Sequence, residues 1–310
     1  MKALLKGVAQ RLVAALAVMF GAATIAFIAL QLIPGDPVAT LLGPQSSATA
    51  AVRRQITLQY GFNQPVAVQY LHYLNRLVHG DLGQSYQLQR PVASLISEQL
   101  GPTAQLALAA LVLAVVIALV SAVATAGRRP ALRAVAVTWE LIAVSSPSYW
   151  VGILLLTAFS FQLQIFPVAG AQDFSALVLP AFTLALPIAG VLAQVLREGL
   201  EAALAEPFIV TARARGLSQN AVRLRHALRH ASVPLLTLTG WLTGSLLGGA
   251  VLVEAVFGRP GIGALTLQAV TSKDMPLVIG LVLLSAFVFV AISTILDLLY
   301  LVIDPRLRAA

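Results

Sequence analysis

Residues 99–127 read QLGPTAQLALAALVLAVVIALVSAVATAG and contain no Asp, Glu, Lys or Arg. A bilayer core of ~30 Å is crossed by about 20 apolar residues rising ~1.5 Å each, so this run is long enough to span. Five more uncharged, strongly apolar runs flank it: 12–35, 141–172, 174–196, 230–253 and 275–296. Hydrophobic residues make up 59% of the chain and charged residues 10%, against roughly 45–50% and about 25% in ordinary globular proteins. A soluble core cannot hide that much apolar surface. The expected fold is an all-α integral membrane protein with six transmembrane helices. A seventh uncharged run, 55–75, is rich in Gln, Asn and Tyr and contains Pro65, and is placed outside the membrane. Lys2, Lys6 and Arg11 precede the first run like a signal peptide's basic region. That run exceeds the ~7–15 residues of a signal core, which predicts an uncleaved spanning helix.

The formal charge is +8, from 20 Lys plus Arg and 12 Asp plus Glu. Basic residues concentrate in cytoplasmic loops. The N-terminus, Arg128–Arg133, the 197–229 loop and the tail together hold 14 of the 20, and the opposite loops hold 6. The expected orientation is N-in and C-in. This insertion bias accounts for the net charge without nucleic acid. The absence of cysteine excludes disulfides, thiolate metal sites and Cys nucleophiles.

In the first outer segment, Ala67, Tyr70, Leu71, Leu74, Leu77 and Val78 recur at i, i+3, i+4 spacing. This predicts an amphipathic helix over 66–78, opened near Asn63 and Pro65 and closed near Gly80, lying on the outer helix ends or in the lipid interface. Gly240, Gly244 and Gly248 share one helical stripe, which admits a close backbone, either of another subunit or of this chain. Pro147, Pro180, Pro187 and Pro234 predict kinks or helix ends.

The loop Arg197–Arg229 is long for a connection between membrane helices. It contains Thr211-Ala212-Arg213-Ala214-Arg215-Gly216-Leu217-Ser218. Gly216 can take positive φ, and Ser218 can cap a short helix from about Gln219 to Leu224 that carries Val222. No capping-box acid follows, since Ala221 occupies that place. The chain is expected to form a helix, a sharp turn, a short helix, and a return to the membrane through Arg225 and His226.

This loop resembles the conserved cytoplasmic loop of binding-protein-dependent ABC permeases of the dipeptide/oligopeptide/nickel family. That family typically reads Tyr-Val-x-Thr-Ala-Arg-Ala-Lys-Gly-Leu, then Arg-His-Ala-Leu-Arg-Asn and a Pro. Here the residues are Phe208-Ile209-Val210-Thr211-Ala212-Arg213-Ala214-Arg215-Gly216-Leu217, then Arg225-His226-Ala227-Leu228-Arg229-His230 and Pro234. The departures are Phe208, Arg215 and His230. The likeness covers nearly the whole chain: Pro34-Gly35-Asp36-Pro37, Tyr60-Gly61-Phe62, Gly80-Asp81-Leu82-Gly83-Gln84-Ser85, Pro260-Gly261-Ile262-Gly263, Asp274 with Pro276, Asp297, and Asp304-Pro305-Arg306. The opening signature, outer segment and tail are similar to the B-type subunit.

The resemblance implies a type I ABC importer permease fold in the bacterial inner membrane: an N-terminal transmembrane helix (1–35), an extracytoplasmic segment (36–98) and a five-helix core (99–310). It implies a pore shared with a second homologous permease as a heterodimer, two cytoplasmic ABC ATPase subunits, and an extracytoplasmic solute-binding protein. Thr211 to Ser218, Val222, Arg225 and His226 would meet the ATPase. This chain would carry no cofactor and no hydrolytic chemistry; it has no Walker A pattern to cradle phosphates. Glu254, Arg259, Lys273 and Asp274, on the last outer loop, are candidates for docking the binding protein or the sister permease. Peptides are the expected solute, with nickel or a metal chelate as the alternative. An ion-coupled secondary transporter is the rival class. It would bury ionisable groups at mid-membrane, whereas Glu140 and Asp297 lie at run edges, where solvation or a local salt bridge accounts for them. His72, His79, His226 and His230 show no triad or metal spacing.

Overall fold

The computed structural model describes residues 2–32, 38, 49–59 and 61–303. The Pro34–Pro37 signature, Tyr60 and the Asp304-Pro305-Arg306 tail lie outside the described residues. The described residues are helical apart from turns and one isolated antiparallel bridge, Gln84 to Pro91. The helices are α1 (Lys2–Leu32), α2 (Ala50–Gln59), α3 (Val66–Val78), α4 (Val92–Thr125), α5 (Pro130–Ser145), α6 (Ser148–Leu155), α7 (Ser175–Leu204), α8 (Pro207–Ala214), α9 (Gln219–Ala221), α10 (Leu228–Val256), α11 (Ile262–Thr271) and α12 (Met275–Ile303). Wider π-helical turns extend α6 through Leu156–Gln162 and join α9 to α10 through Val222–Ala227.

By length and apolarity, α4, α7, α10 and α12 each qualify as membrane spans among the described residues. The expected third span, 141–172, is built differently. The helix starts earlier, at Pro130, and breaks between Ser145 and Ser148 with a bend of 102° before ending at Gln162. Pro147 lacks an N–H and forces its predecessor out of the helical region. Ser146 accordingly sits at φ −81°, ψ 126°. In α1 the apolar helix that qualifies by composition is shorter, Val13–Ala29. Pro180 and Pro187 lie inside α7, and Pro234 inside α10, rather than at helix ends.

The chain divides into two compact units, 1–100 with 265–294, and 101–264 with 295–310. In the first, the amphipathic helix α3 forms over the expected residues 66–78. Its Tyr70 and Tyr73 rings lie 5.1 and 5.5 Å from Phe27 of α1, and the Tyr70 hydroxyl meets Thr24 Oγ1 at 2.7 Å. Tyr70 of the expected stripe thus rests on α1 with Tyr73 beside it, while Ala67, Leu71 and Val78 of that stripe are exposed. A cavity of about 170 Å3 opens between them, lined by Phe27, Gln64, Tyr73, Arg76, Tyr86 and Pro276. Burial there raises the Tyr73 phenol to about 12, so it stays protonated.

In the second unit α7 is central. Two-thirds of its span is buried, against about a third or less for α4 and α10. It packs on α10, α5 and α6. Leu106, Ala110, Ala114, Ala118 and Ala122 recur every fourth residue of α4, Ala126 continues the row just past its end, and all six are fully buried in the same core. Such a row of small side chains lets a neighbouring backbone approach closely. Across α5 and α7, the Arg197 guanidinium forks onto Glu140, with Nη2 to Oε2 at 2.8 Å and Nε to Oε1 at 3.2 Å. Both side chains are under 5% exposed. The local salt bridge expected for Glu140 is therefore present. Of the small residues on α10, Gly249 packs inward, where a Cβ would meet Leu184 at 2.7 Å, while Gly248 faces open space.

Candidate functional site: the 205–229 loop and the turns around Glu254 and Asp274

After α7 ends, Ala205 caps it and Glu206 opens α8, with Pro207 in the first turn. Proline suits that place, since its missing N–H has no intrahelical acceptor there. α8 ends in a Schellman arrangement: Gly216 N donates to Arg213 O at 2.9 Å and Leu217 N to Ala212 O at 3.4 Å. Gly216 has φ +80° and nothing within 4 Å of where a Cβ would stand. Glycine is thus required there by backbone conformation, not by space. Ser218 then caps the next helix, its Oγ accepting from Ala221 N at 3.3 Å.

The expected short helix does not stop near Leu224. From Gln219 the chain stays helical through the π-turn 222–227 and on to Val256. The 219–227 stretch has no proline or glycine to break it. A helix–turn–helix therefore leads straight into a spanning helix.

Within the loop, Ile209, Ala212, Val222 and Ala227 are buried and Leu217 packs on the same core. They fasten the loop to the ends of the spans. Thr211, Arg213, Ala214, Arg215, Gly216, Ser218 and Arg225 are exposed, and His226 is half-buried. Phe208 and His230, two of the departures from the family pattern, stack on each other with ring centroids 4.8 Å apart. Arg223, not singled out from the sequence, is buried, with its Nη2 on the Gly127 carbonyl at 3.3 Å. Burial, with Arg128 and Arg213 nearby, pushes its pKa down.

The residues expected to dock the binding protein or the sister permease need a correction. Glu254, Arg259 and Asp274 are buried within the chain, and of the four docking candidates only Lys273 is exposed. A buried carboxylate must be hydrogen-bonded, and both are. Glu254 accepts from Thr103 Oγ1 at 2.6 Å and Ala264 N at 3.0 Å, while Thr103 Oγ1 accepts from Ile262 N at 2.7 Å. A Cβ on Gly261 would overlap this carboxylate, and one on Gly263 would lie 2.5 Å from Val251 Cα. The Pro260-Gly261-Ile262-Gly263 turn thus wraps an internal carboxylate. Asp274 accepts from Ser85 Oγ, Tyr86 N and Gln87 N, stapling the 84–91 turn to the turn that follows α11. Arg259 Nε and Nη1 are buried with no hydrogen-bond partner among the described residues, and burial pushes its pKa down.

Residues 114–309 match the family described as binding-protein-dependent transport system inner membrane component, and residues 4–107 match its N-terminal companion. The chain belongs to this family of ABC transport permeases. A putative peptide transport system permease protein of Brucella abortus (strain 2308) is 37% identical over 314 residues, covering 98% of each chain. The glutathione transport system permease of Escherichia coli O6:H1 is 34% identical over 306 residues, covering 98% of this chain and 99% of its own. The crystal structure of an amino acid ABC transporter with histidines superposes with a TM-score of 0.50 at 20% identity. It covers 67% of this chain and 93% of that one. This last likeness concerns the fold. A permease of this family is a multi-pass membrane transport subunit, not an enzyme.

Proposed function

We propose that this chain is one half of the translocation pore of a bacterial inner-membrane importer for peptides. In this reading it pairs with a second, homologous permease. Two cytoplasmic ABC ATPases supply the energy and an extracytoplasmic binding protein delivers the solute. The observation that carries it is the 207–229 segment. Its buried Ala212 and Val222 tie it to the core, while Arg213, Arg215, Ser218 and Arg225 present donors outward. Arginine forks suit carboxylates on a partner. Because the segment is continuous with α10, tilting it tilts a spanning helix, a rigid-body transmission. The peptide class rests on the names of full-length relatives.

Six spans, with both termini cytoplasmic, complete the proposal: α1, α4, the bent α5–α6 pair, α7, α10 and α12. The exposed Lys273 and the outer segment are the surface offered to the binding protein. The test uses single cysteines in the assembled transporter. Ser218→Cys is expected to crosslink to the ATPase and to resist an impermeant reagent in intact cells, while Ser175→Cys reacts with it. Labelling at position 218 from outside, with no crosslink, overturns the reading.

A further inference from the structure

Taken as one span of the pore half proposed above, the α5–α6 pair breaks inside the membrane. The two helices meet at Ser146-Pro147 with a bend of 102°, and their contacts with α7 fix how deep that elbow sits. On the α5 side, a Cβ on Gly190 of α7 would lie 2.9 Å from Val144 Cγ2 and 3.0 Å from Glu140 O. On the α6 side, a Cβ on Gly152 would lie 3.4 Å from Thr183 Cγ2. The elbow is therefore level with the stretch of α7 between Thr183 and Gly190, about 10 Å long at ~1.5 Å per residue. That stretch holds the middle of the uncharged run 174–196, which places the elbow near mid-bilayer. There the helical ladder is interrupted. Pro147 has no N–H, and no side chain caps α6. The Ser146 hydroxyl is satisfied on Ile142 O at 2.6 Å. Among the described residues, the Ser148, Tyr149 and Trp150 N–H groups and the Ser145, Ser148 and Tyr149 hydroxyls have no hydrogen-bond partner. Ser145 and Pro147 are exposed in the chain, as are Tyr149 and Trp150 at 48% and 51%. Unbonded backbone at membrane depth is tolerated only where protein covers it or water reaches it, and tyrosine and tryptophan otherwise collect at the membrane surfaces. Lipid is therefore a poor neighbour for this elbow.

We propose that the Ser145–Trp150 elbow lines the translocation path, and that Tyr149 and Trp150 sort peptides by side chain as they pass. The inference rests on the six-span pore reading and adds to it the residues that the solute meets. A packed subunit contact would have to partner every unbonded N–H and hydroxyl, whereas water in a path satisfies them all. The same groups can meet the amide carbonyls of a passing peptide, directly or through water. The two rings beside them can stack on its apolar or aromatic side chains.

The test uses the complete transporter in nanodiscs. Ser145→Cys is expected to react with a charged, water-soluble methanethiosulfonate in the nucleotide-free or the vanadate-trapped state. Reaction with a lipid-soluble maleimide alone overturns the proposal and assigns the elbow to lipid. Reaction with neither reagent also overturns it, assigning the elbow to a contact with the second permease. Ser218→Cys in the same preparation separates the failures: if it crosslinks to the ATPase while Ser145→Cys resists the charged reagent, the importer reading stands and the elbow alone falls. In proteoliposomes, the maximal uptake rates of phenylalanyl-phenylalanine and alanyl-alanine are then compared. Trp150→Ala is expected to shift their ratio about threefold, with the binding protein's affinities unchanged and Trp150→Phe restoring part of it. An unchanged ratio, or wild-type uptake of neither dipeptide, overturns the sorting role.

Discussion

Replacing Glu140 with glutamine strips the charge from a pair that is almost wholly enclosed. Arg197 Nη2 and Nε donate to the two carboxylate oxygens at 2.8 and 3.2 Å, and the side chains are 4% and 3% exposed. Screening by solvent is slight at that burial. Glu140→Gln leaves a buried guanidinium without its counter-ion, and Arg197→Met leaves a buried carboxylate. Each is expected to cost about 3–5 kcal/mol. The double variant Glu140→Leu, Arg197→Met removes both charges and their desolvation together, and is expected to unfold within about 1 kcal/mol of wild type. The assay is equilibrium unfolding of the purified subunit in mixed micelles with increasing denaturing detergent, read by tryptophan emission. The predicted coupling between the two positions is therefore several kcal/mol. Single variants within 1 kcal/mol of wild type, or a double variant as unstable as the singles, refute the reasoning. The same set addresses the rival ion-coupled mechanism. If Glu140 were a coupling carboxylate, the double variant would fold and yet lose cation-dependent uptake.

Other perturbations follow from the turns around Glu254 and Asp274 and from the loop. Gly261→Ala and Gly263→Ala each push a methyl into occupied space. They are expected to destabilise by about 1–3 kcal/mol, and unaltered thermal unfolding of both would contradict the packing described. Asp274→Asn weakens the staple to Ser85, Tyr86 and Gln87 at a cost of about 1–3 kcal/mol. Limited proteolysis is expected to cut within 84–91 sooner than in wild type, while Lys273→Ala leaves the digest unchanged. Phe208→Tyr and His230→Asn are each expected to destabilise the loop, and a double-mutant cycle by thermal unfolding is expected to show about 0.5–1.5 kcal/mol of coupling; zero coupling means the ring stack is idle.

Much of this architecture is legible in the chain. Uncharged length marks the apolar helices, and the i, i+3, i+4 pattern of Tyr70, Leu74 and Leu77 places α3 on its residues. Gly216 and Ser218 announce the turn and cap because those signals are local: one backbone conformation and one side-chain acceptor. The 102° break at Ser146-Pro147 is hidden inside an uncharged run, since hydropathy is blind to direction. The inward turn of Glu254 and Asp274 is hidden for another reason. Their partners, Thr103 and Ser85, lie 151 and 189 residues away along the chain. A charge on an outer loop reads as solvated until such a partner is known. Arg223 escapes notice likewise, because a basic residue in a basic loop carries no local mark of burial.

The central claim, that the 207–229 segment transmits ATP-driven motion to α10, is tested most directly at Gly216. Valine at φ +80° is strained by about 1–2 kcal/mol or more, with no steric contact to blame. The measurement is the ratio of peptide taken up to ATP hydrolysed in proteoliposomes holding the complete transporter with Gly216→Val. The account predicts a normally inserted subunit whose ratio collapses, either because the ATPase no longer associates or because hydrolysis continues without uptake. A wild-type ratio in a fully assembled Gly216→Val complex would contradict it.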